Sequence, residues 1–348
     1  MSITIKEIAR ITGTSTTAVS FVLNGKDSGL VSPPKRERIL AAIRKHGYRQ
    51  NNLARGLQAK RTYHIGICVR GFFEDYPIIG NFSVHDAISR LMRRFSEAGY
   101  GAEWLQIDAA ASPRDTVATL ANAAVDGVVL VKWDPRDIAA IAPGLRRKGV
   151  RAVCFNTLLT DKPSGGRCHR HRHRSDGGVK GISWCDYSFV QAAEAGTQWL
   201  IDAGCKTIGL LDFRGLREHR PHREGYLRAM RRHDRRPVIH VAAPRHRINR
   251  IVAITRQFLA AHPAVDGMLV PDNFCAMFVA ELIRGKNIRM VAIGDTCFAH
   301  MQRPKIVHLS LPVLAMADWC AATLIERIES RQPLPAVHRM FECDLVVR

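Results

Sequence analysis

Apolar and polar positions alternate at helical spacing over the first twenty-five residues. One face of the first stretch carries Ile5, Ile8, Ala9 and Ile11, and the inward face of the second carries Ala18, Val19, Val22 and Leu23. Gly13 separates the two stretches, and Ser15 stands where the N-cap of the second belongs. The pattern predicts a helix, a tight turn and a second helix whose exposed side is short and polar. Such a helix can enter the major groove of DNA.

A third helix is predicted from Lys35 to His46, after the start signal Ser32-Pro33-Pro34 and before Gly47. Three short helices in under fifty residues suit a helix-turn-helix DNA-binding domain over residues 1–47. The polar segment 48–61 is predicted to be a linker that becomes a hinge helix only on its target.

From residue 62 onward, short apolar strands alternate with amphipathic helices. A first set runs from the strand at Ile65 to the strand at Phe155, and a second runs from the helix at Ser188 to the strand at Ile293. This alternation predicts doubly wound parallel sheets. Two such sets flanking a cleft describe a periplasmic-binding-protein-like core of two subdomains.

Charge adds a candidate partner to this picture. The 348 residues carry a formal net charge of +21, and residues 1–61 hold twelve Lys and Arg against three Asp and Glu. A strongly basic chain favours a polyanionic partner. Nine cysteines without a C-x-x-C pair favour reduced thiols and a cytoplasmic protein. No apolar stretch is long enough to span a membrane, and the N-terminus has no signal-peptide pattern.

The order of the N-terminal motifs resembles the lac repressor family of bacterial transcription regulators. The matching strings are T-I-K-E-I-A at residues 4–9, V-S-x-V-L-N-G at 19–25, V-S-x-x-x-R-x-R-I at 31–39 and G-Y-R-x-N-x-L-A-R-x-L at 47–57. The resemblance continues more loosely over residues 62–348. It implies a first subdomain of about 62–158 plus 311–332, and a second of about 159–310 plus 333–348.

The resemblance implies DNA contacts in both N-terminal segments. The candidate residues are Thr4, Ser15, Thr16, Thr17, Ser20, Phe21, Asn24, Asn51, Leu53, Ala54, Arg55 and Leu57. Leu57 is expected to wedge between base pairs in the minor groove. Two residues depart from the family pattern, since Phe21 replaces the usual Arg and Gln50 the usual Pro. Phe21 cannot make the bidentate contact of Arg to guanine, so it either meets an apolar group such as a thymine methyl or belongs to the small core.

A ligand site is expected at the carboxyl ends of the strands, where open α/β sheets bind ligands. Carried over position by position, the family pattern gives Asp186, His222, Arg220, Asp272, Asn273 and Asp295. Carboxylates and amides accept hydrogen bonds from sugar hydroxyls, which favours a sugar or sugar derivative. His222 stands where the family usually has Arg, and the nine Arg of residues 214–236 leave an anionic ligand open. Asp126 and Asp266 precede strands and are interpreted as turn caps.

Residues 166–174 alternate Arg with His beside Cys168. His and Cys are metal ligands, but the interspersed guanidinium groups repel a divalent cation, so a solvated loop is favoured over a metal site. No cofactor is predicted, and the motifs G-x-S-x-G, G-x-x-x-x-G-K-[ST] and H-E-x-x-H are all missing.

The hypothesis from sequence is a ligand-responsive, homodimeric regulator, in particular a repressor, that binds pseudo-palindromic operator DNA. The alternative is a small-molecule binding protein whose DNA contact has relaxed to non-specific charge binding. No coiled-coil heptad occurs near the end of the chain, which favours a dimer over a tetramer.

Overall fold

The fold is described from a computed structural model, for residues 3–23, 29–48, 61–70, 82–108, 110–156, 181–213, 219–242, 248–294 and 307–347. The chain divides into two compact units, Met1–Tyr63 and His64–Arg348.

In its described residues, the N-terminal unit has three helices: α1 (Ile5–Thr12), α2 (Thr16–Leu23) and α3 (Pro33–His46). Its core consists of apolar residues from all three helices and the connection before α3, namely Ile8, Ala9, Val19, Val22, Val31, Ile39 and Ala42. Pro33 and Pro34 open α3, and Gly47 closes it in a left-handed conformation. The predicted order of elements is confirmed, although Ile11 is 46% exposed and does not join the core.

The larger unit begins with a six-stranded sheet, in the spatial order β11-β5-β4-β3-β1-β2. Its strands are β1 (His64–Arg70), β2 (Gly101–Ile107), β3 (Gly127–Val131), β4 (Arg151–Phe155), β5 (Ser183–Tyr187) and β11 (His338–Phe341). Every neighbouring pair in this sheet is parallel. The helices connecting β1 to β4 are α4 (Phe82–Glu97), α5 (Pro113–Asn122) and α6 (Pro135–Arg147).

A second six-stranded sheet has the order β12-β10-β9-β8-β6-β7. Its strands are β6 (Ile208–Phe213), β7 (Val238–Ala242), β8 (Gly267–Val270), β9 (Arg289–Ile293), β10 (Val307–Ser310) and β12 (Asp344–Val346). All pairs are parallel except β10 with β12. The helices of this half are α7 (Phe189–Asp202), α8 (His219–Arg232), α9 (Ile248–Ala261) and α10 (Asn273–Leu282), and α11 (Val313–Glu329) follows β10.

The two doubly wound parallel sheets confirm the predicted fold class. The helix α11 packs against α4 and β4, and is therefore part of the first half, as the resemblance implies. Arg90 on α4 joins the two helices through a bidentate ion pair, with Nε 2.7 Å and Nη2 2.8 Å from the Asp318 carboxylate on α11. This guanidinium lowers the pKa of the Asp318 carboxyl.

The predicted subdomain limits are wrong at two strands. Strand β5 lies within the range assigned to the second half, yet it pairs with β4 in the first sheet. The range 333–348, also assigned to the second half, contains two strands that belong to different sheets: β11 pairs with β5 in the first sheet, and β12 pairs with β10 in the second. All five residues of β5 are buried. Because Ser183 and Asp186 interrupt its apolar residues, a search for apolar runs does not identify β5 as an interior strand.

The carboxylate of Asp266 caps the turn before β6. Its oxygens accept hydrogen bonds from the backbone N–H groups of Lys206 (2.7 Å) and Thr207 (2.8 Å). This confirms the interpretation of Asp266 as a turn cap. Asp126, at the equivalent position before β3, donates its backbone N–H to the carbonyl of His64.

Helices α7 and α8 approach closely because Gly225 has no side chain. A Cβ atom at Gly225 would lie 2.1 Å from the Val190 carbonyl oxygen and 2.9 Å from the Ala193 Cβ and the Glu194 backbone nitrogen. Two of these three atoms belong to the backbone of α7, so the helices would have to separate. Gly225 therefore sets the distance between the two helices that cover one face of the second sheet.

We expect Gly225→Ala to destabilise the larger unit by about 1–3 kcal/mol, the usual cost of overpacking. The measurement is the thermal unfolding midpoint of the full chain. Gly101→Ala is a matched control, because the three atoms nearest to its Cβ would all belong to the side chain of His64 and none to the backbone. Equal midpoints for the two variants would contradict the role assigned to Gly225.

Candidate nucleic-acid interface and ligand site

The turn between α1 and α2 is held by a small set of hydrogen bonds. Gly13 is left-handed (φ 58°), and its N–H donates to the carbonyls of Ala9 and Arg10. The buried Thr12 hydroxyl lies 2.8 Å from the Ile8 carbonyl oxygen and 2.8 Å from the Thr14 hydroxyl. The Ser15 hydroxyl accepts a hydrogen bond from the backbone N–H of Ala18, which confirms it as the N-cap of α2. The turn therefore fixes the direction of α2 relative to α1.

Helix α2 separates its residues onto two faces. Val19 and Val22 are buried, and Ala18 and Leu23 pack against the same core. On the other face, Thr16 and Thr17 are exposed, while Ser20 and Phe21 are half-buried. These four residues were predicted to face bases, and that role stays a prediction.

The position of Phe21 agrees in part with both interpretations of its side chain, as a core residue and as an apolar group on the surface. It packs against the core of the N-terminal unit, and it remains half-buried rather than enclosed. One part of the ring therefore contacts the core, and another part is exposed on the surface of α2.

Thr4, another predicted DNA contact, closes the start of α1 in a capping box. Its hydroxyl accepts from the Glu7 N–H (3.3 Å), and the Thr4 N–H and hydroxyl donate to Glu7 Oε2 (2.7 and 2.8 Å). These bonds lower the pKa of the Glu7 carboxyl, with the backbone N–H of Thr4 as the largest cause. Thr4 thus has a structural task in addition to the predicted one.

Several predicted residues lie outside the described part of the chain. These are Asn24, Asn51, Leu53, Ala54, Arg55, Leu57, the ligand-site residue Asp295 and the Arg/His-rich stretch 166–174.

Polar side chains gather at the carboxyl ends of strands in the second sheet. Asp272 follows β8 and is the N-cap of α10, because its Oδ1 accepts from the Cys275 N–H at 2.7 Å. Asn273 is buried beside it, and its side chain lies against Gly294, where a Cβ would meet the Asn273 Cβ at 3.3 Å. Gly294 follows β9, the strand next to β8. Asp272 and Asn273 thus lie just beyond the carboxyl end of β8, where the sequence places them.

The first sheet contributes Asp186, which lies near the carboxyl end of β5. Asp186 is fully buried near the end of β5, and its Oδ1 accepts from the Tyr187 N–H at 3.0 Å. Tyr187 stacks at a tilt on Phe189, with ring centroids 4.3 Å apart.

His222 and Arg220 differ in their surroundings, although both were predicted to hold the ligand. His222 is buried, and its ring meets the ring of Phe189 edge-on at 5.3 Å. Arg220 is exposed, as is the neighbouring Arg223. In the described part of this region, the buried ring of His222 contacts the aromatic ring of Phe189, whereas the side chains of Arg220 and Arg223 are exposed.

Two further residues at strand ends were missed by the sequence reasoning. Asp212 is fully buried in β6, the strand next to β8. Asn156 follows β4, is buried, and adopts a left-handed conformation (φ 50°) with its N–H on the Cys185 carbonyl oxygen at 3.0 Å. Within the described residues, the Asn156 Oδ1 atom has no hydrogen-bond partner. A polar residue directly after an apolar strand is the signal that could have identified both.

The described residues contain no group of three His, Cys, Asp or Glu side chains that could hold a metal ion. Burial raises the pKa of the Cys68 thiol to about 12. Burial likewise raises the pKa values of Cys154 and Cys185, so these thiols are not activated as nucleophiles or metal ligands. In the same described ranges, no helix has the length and apolar content needed to cross a membrane.

Comparison with known proteins assigns the N-terminal unit to a family. Residues 4–51 match the family described as "Bacterial regulatory proteins, lacI family". The N-terminal unit is thus similar to the helix-turn-helix domain of this family, in agreement with the resemblance found in the sequence.

Two curated relatives and one solved structure extend the similarity. The chain is 26% identical to catabolite control protein A of Staphylococcus epidermidis over 61% of this chain, which spans only about half (56%) of that protein. It is 23% identical to the sucrose operon repressor of Pediococcus pentosaceus over 93% of this chain and 92% of that protein. The lac repressor dimer bound to operator and the anti-inducer ONPF shares the fold, with a TM-score of 0.68, 17% identity and coverage of 100% and 98% of the two chains.

The capping box predicts an acid sensitivity of the N-terminal unit. Because the folded pKa of Glu7 is lowered, its contribution to stability is complete above the unfolded pKa of about 4.3 and is lost as the pH falls through the folded value. We expect Glu7→Gln to remove this part of the pH dependence. The measurement is the unfolding midpoint of the N-terminal unit between pH 7 and pH 3, with the exposed Glu37→Gln as control. An unchanged acid sensitivity in Glu7→Gln would contradict the assignment.

Proposed function

We propose that this protein is a ligand-responsive, sequence-specific DNA-binding transcriptional regulator, acting as a repressor of genes for a sugar or related carbon source. The observation that carries the proposal is the combination of two units in one chain. A lacI-family helix-turn-helix unit precedes a two-sheet unit with buried polar groups at its strand ends.

In this proposal the N-terminal unit enters the major groove with α2. The turn at Gly13 and the Ser15 cap hold α2 in place, so little conformational freedom is lost on binding. The exposed Lys6 and Arg10 of α1, and the exposed cations of α3, contact backbone phosphates. Residues 48–61 form the hinge helix, in which Leu57 bends the DNA at the minor groove.

The larger unit binds the effector between strand ends of its two sheets. Asp186, Asp272, Asn273 and Asn156 offer carbonyl and carboxylate oxygens to sugar hydroxyls, and the buried ring of His222 contacts Phe189, which in turn contacts Tyr187 next to Asp186. The sucrose operon repressor, similar over nearly the whole chain, supports a carbohydrate. Effector binding shifts the population between DNA-competent and incompetent dimers.

The protein acts as a homodimer on a pseudo-palindromic operator, because one helix-turn-helix unit covers only a half-site. The similar lac repressor structure is a dimer bound to operator. We assign the protein to the cytoplasm, associated with the nucleoid when bound to DNA, and we assign it no enzymatic activity.

The alternative function is a small-molecule binding protein with non-specific DNA affinity. The observation that favours it is the absence of any charged residue from α2, together with the net charge of +21 for the whole chain. A protein that binds through charge alone loses affinity with salt and does not distinguish sequences.

Selection of bound fragments from a genomic DNA pool, followed by a salt series, separates the two functions. The regulator should bind selected duplexes on the order of a thousandfold or more tightly than random duplexes at physiological salt. Equal affinity for selected and random duplexes would reject the regulator and establish the alternative.

The proposed ligand site predicts that a change at Asn273 weakens sugar binding without changing DNA binding. A panel of mono- and disaccharides is first screened for a rise in the thermal midpoint of the full chain. We expect Asn273→Ala to weaken binding of the stabilising sugar by about two- to tenfold, through loss of one or more hydrogen bonds. Affinity of the ligand-free protein for selected DNA should stay the same.

Asn287→Ala is the matched control, since Asn287 is exposed and precedes β9, at the opposite edge of the second sheet. If both Asn variants retain the affinity of the original protein for the sugar, Asn273 is not part of the site.

A further inference from the structure

The surface of α2 differs in chemistry from the helices that flank it. Helix α2 has the sequence TTAVSFVL and contains no charged residue. Exposed cations stand instead on α1, at Lys6 and Arg10, and on α3, at Lys35, Arg36, Arg38, Arg44 and Lys45. The N-terminal unit thus presents a neutral helix beside two basic ones.

This separation limits what α2 can recognise. Guanine is read in the major groove by Arg or Lys, adenine by Asn or Gln, and the amino group of cytosine by Glu or Asp. None of these six residue types occurs within α2. The hydroxyls of Thr16, Thr17 and Ser20 can serve either as donors or as acceptors, so they discriminate weakly between bases.

The exposed face of α2 also presents apolar groups. Thr17 and Phe21 are four residues apart, so their side chains are neighbours on the helix. The Thr17 side chain ends in a methyl group beside its hydroxyl, and Phe21 adds a ring that the core supports from behind. A supported ring does not have to lose rotational freedom on contact, which makes it an effective apolar surface.

The C5-methyl group of thymine is the apolar group that base pairs present in the major groove. We infer that α2 obtains its sequence specificity chiefly from C5-methyl groups of thymine, contacted by Phe21 and the Thr17 methyl, while α1 and α3 supply affinity through phosphates. This inference rests on the proposed function and adds to it the chemical feature of the operator that is read. A C5-methyl group on cytosine has the same shape and should be read at the same position.

The test begins with duplexes selected from a random pool by the full-length protein. Each thymine of a selected half-site is then replaced by uracil, which removes only the methyl group and leaves the pairing intact. We expect a loss of affinity of roughly three- to fivefold for each contacted methyl, and of about tenfold or more when both half-sites are changed. At such a position, 5-methylcytosine paired with guanine should bind more tightly than cytosine paired with guanine.

Protein variants locate the effect on α2. Thr17→Ser removes a methyl and keeps the hydroxyl, whereas Thr17→Val keeps the methyl and removes the hydroxyl. Because Thr17 is exposed, neither change disturbs the core. Thr17→Ser should reduce the thymine preference at one position, and Thr17→Val should retain it. Phe21→Leu, which keeps an apolar group against the core, should retain part of the preference that Phe21→Ala loses.

The salt dependence provides the control for affinity. Since α2 is uncharged, the Thr17 variants should bind random duplexes as the original protein does, with the same salt slope. Equal affinity for thymine and uracil duplexes, in a protein that does select a sequence, would overturn the inference and leave the proposed function standing. A pool that yields no enriched sequence would instead reject the proposed function, and this inference with it.

Discussion

Parallel strand pairing is the constraint on which the larger unit depends. Eleven of the twelve strands in the described part of this unit belong to runs of parallel neighbours, and each parallel step requires a connection that returns the chain to the end of the sheet where the first strand began. These connections contain helices, which cover both faces of each sheet. Polar groups can then lie at the ends of the strands, which the helices do not cover. Asp186, Asn156, Asp212 and Asp272 all lie at or near such ends, which is why a structure with apolar strands still offers a polar site.

Helix packing then decides which parts of the unit move together. Gly225 allows α8 to pack directly against the backbone of α7. His222 stands one turn before Gly225 on α8, and its ring touches Phe189 at the start of α7. In the proposed regulator, a ligand that displaces His222 therefore acts on both helices at once.

Much of the fold could be predicted from periodicity, since the strands β1, β3 and β4 are apolar runs, and Gly99 and Gly149, both left-handed, follow the ends of two of the helices between them. The path of the chain between the sheets could not. Strand β5 contains Ser183 and Asp186, and its burial follows from neighbours β4 and β11 that are distant in sequence. Asn156 directly follows the apolar strand β4, a signal present in the sequence, but its left-handed conformation and its bond to Cys185 could be seen only in the structure. His222 was placed by resemblance, whereas its contact with Phe189 could be seen only in the structure.

The N-terminal unit shows how a small domain can separate strength of binding from choice of sequence. Its core uses one face of each helix, and the turn at Gly13 holds α1 and α2 without any charged side chain. The core residues are apolar, and the cations of α1 and α3 lie outside this core on the exposed faces of the two helices. Glu7 is the one acidic residue of α1, and the capping box ties it to Thr4, at the positive end of the helix. A domain built in this way can change the residues on α2 without losing its fold or its general attraction to DNA. Replacement of the family's usual Arg by Phe21 is such a change, because the ring also gains contact with the core.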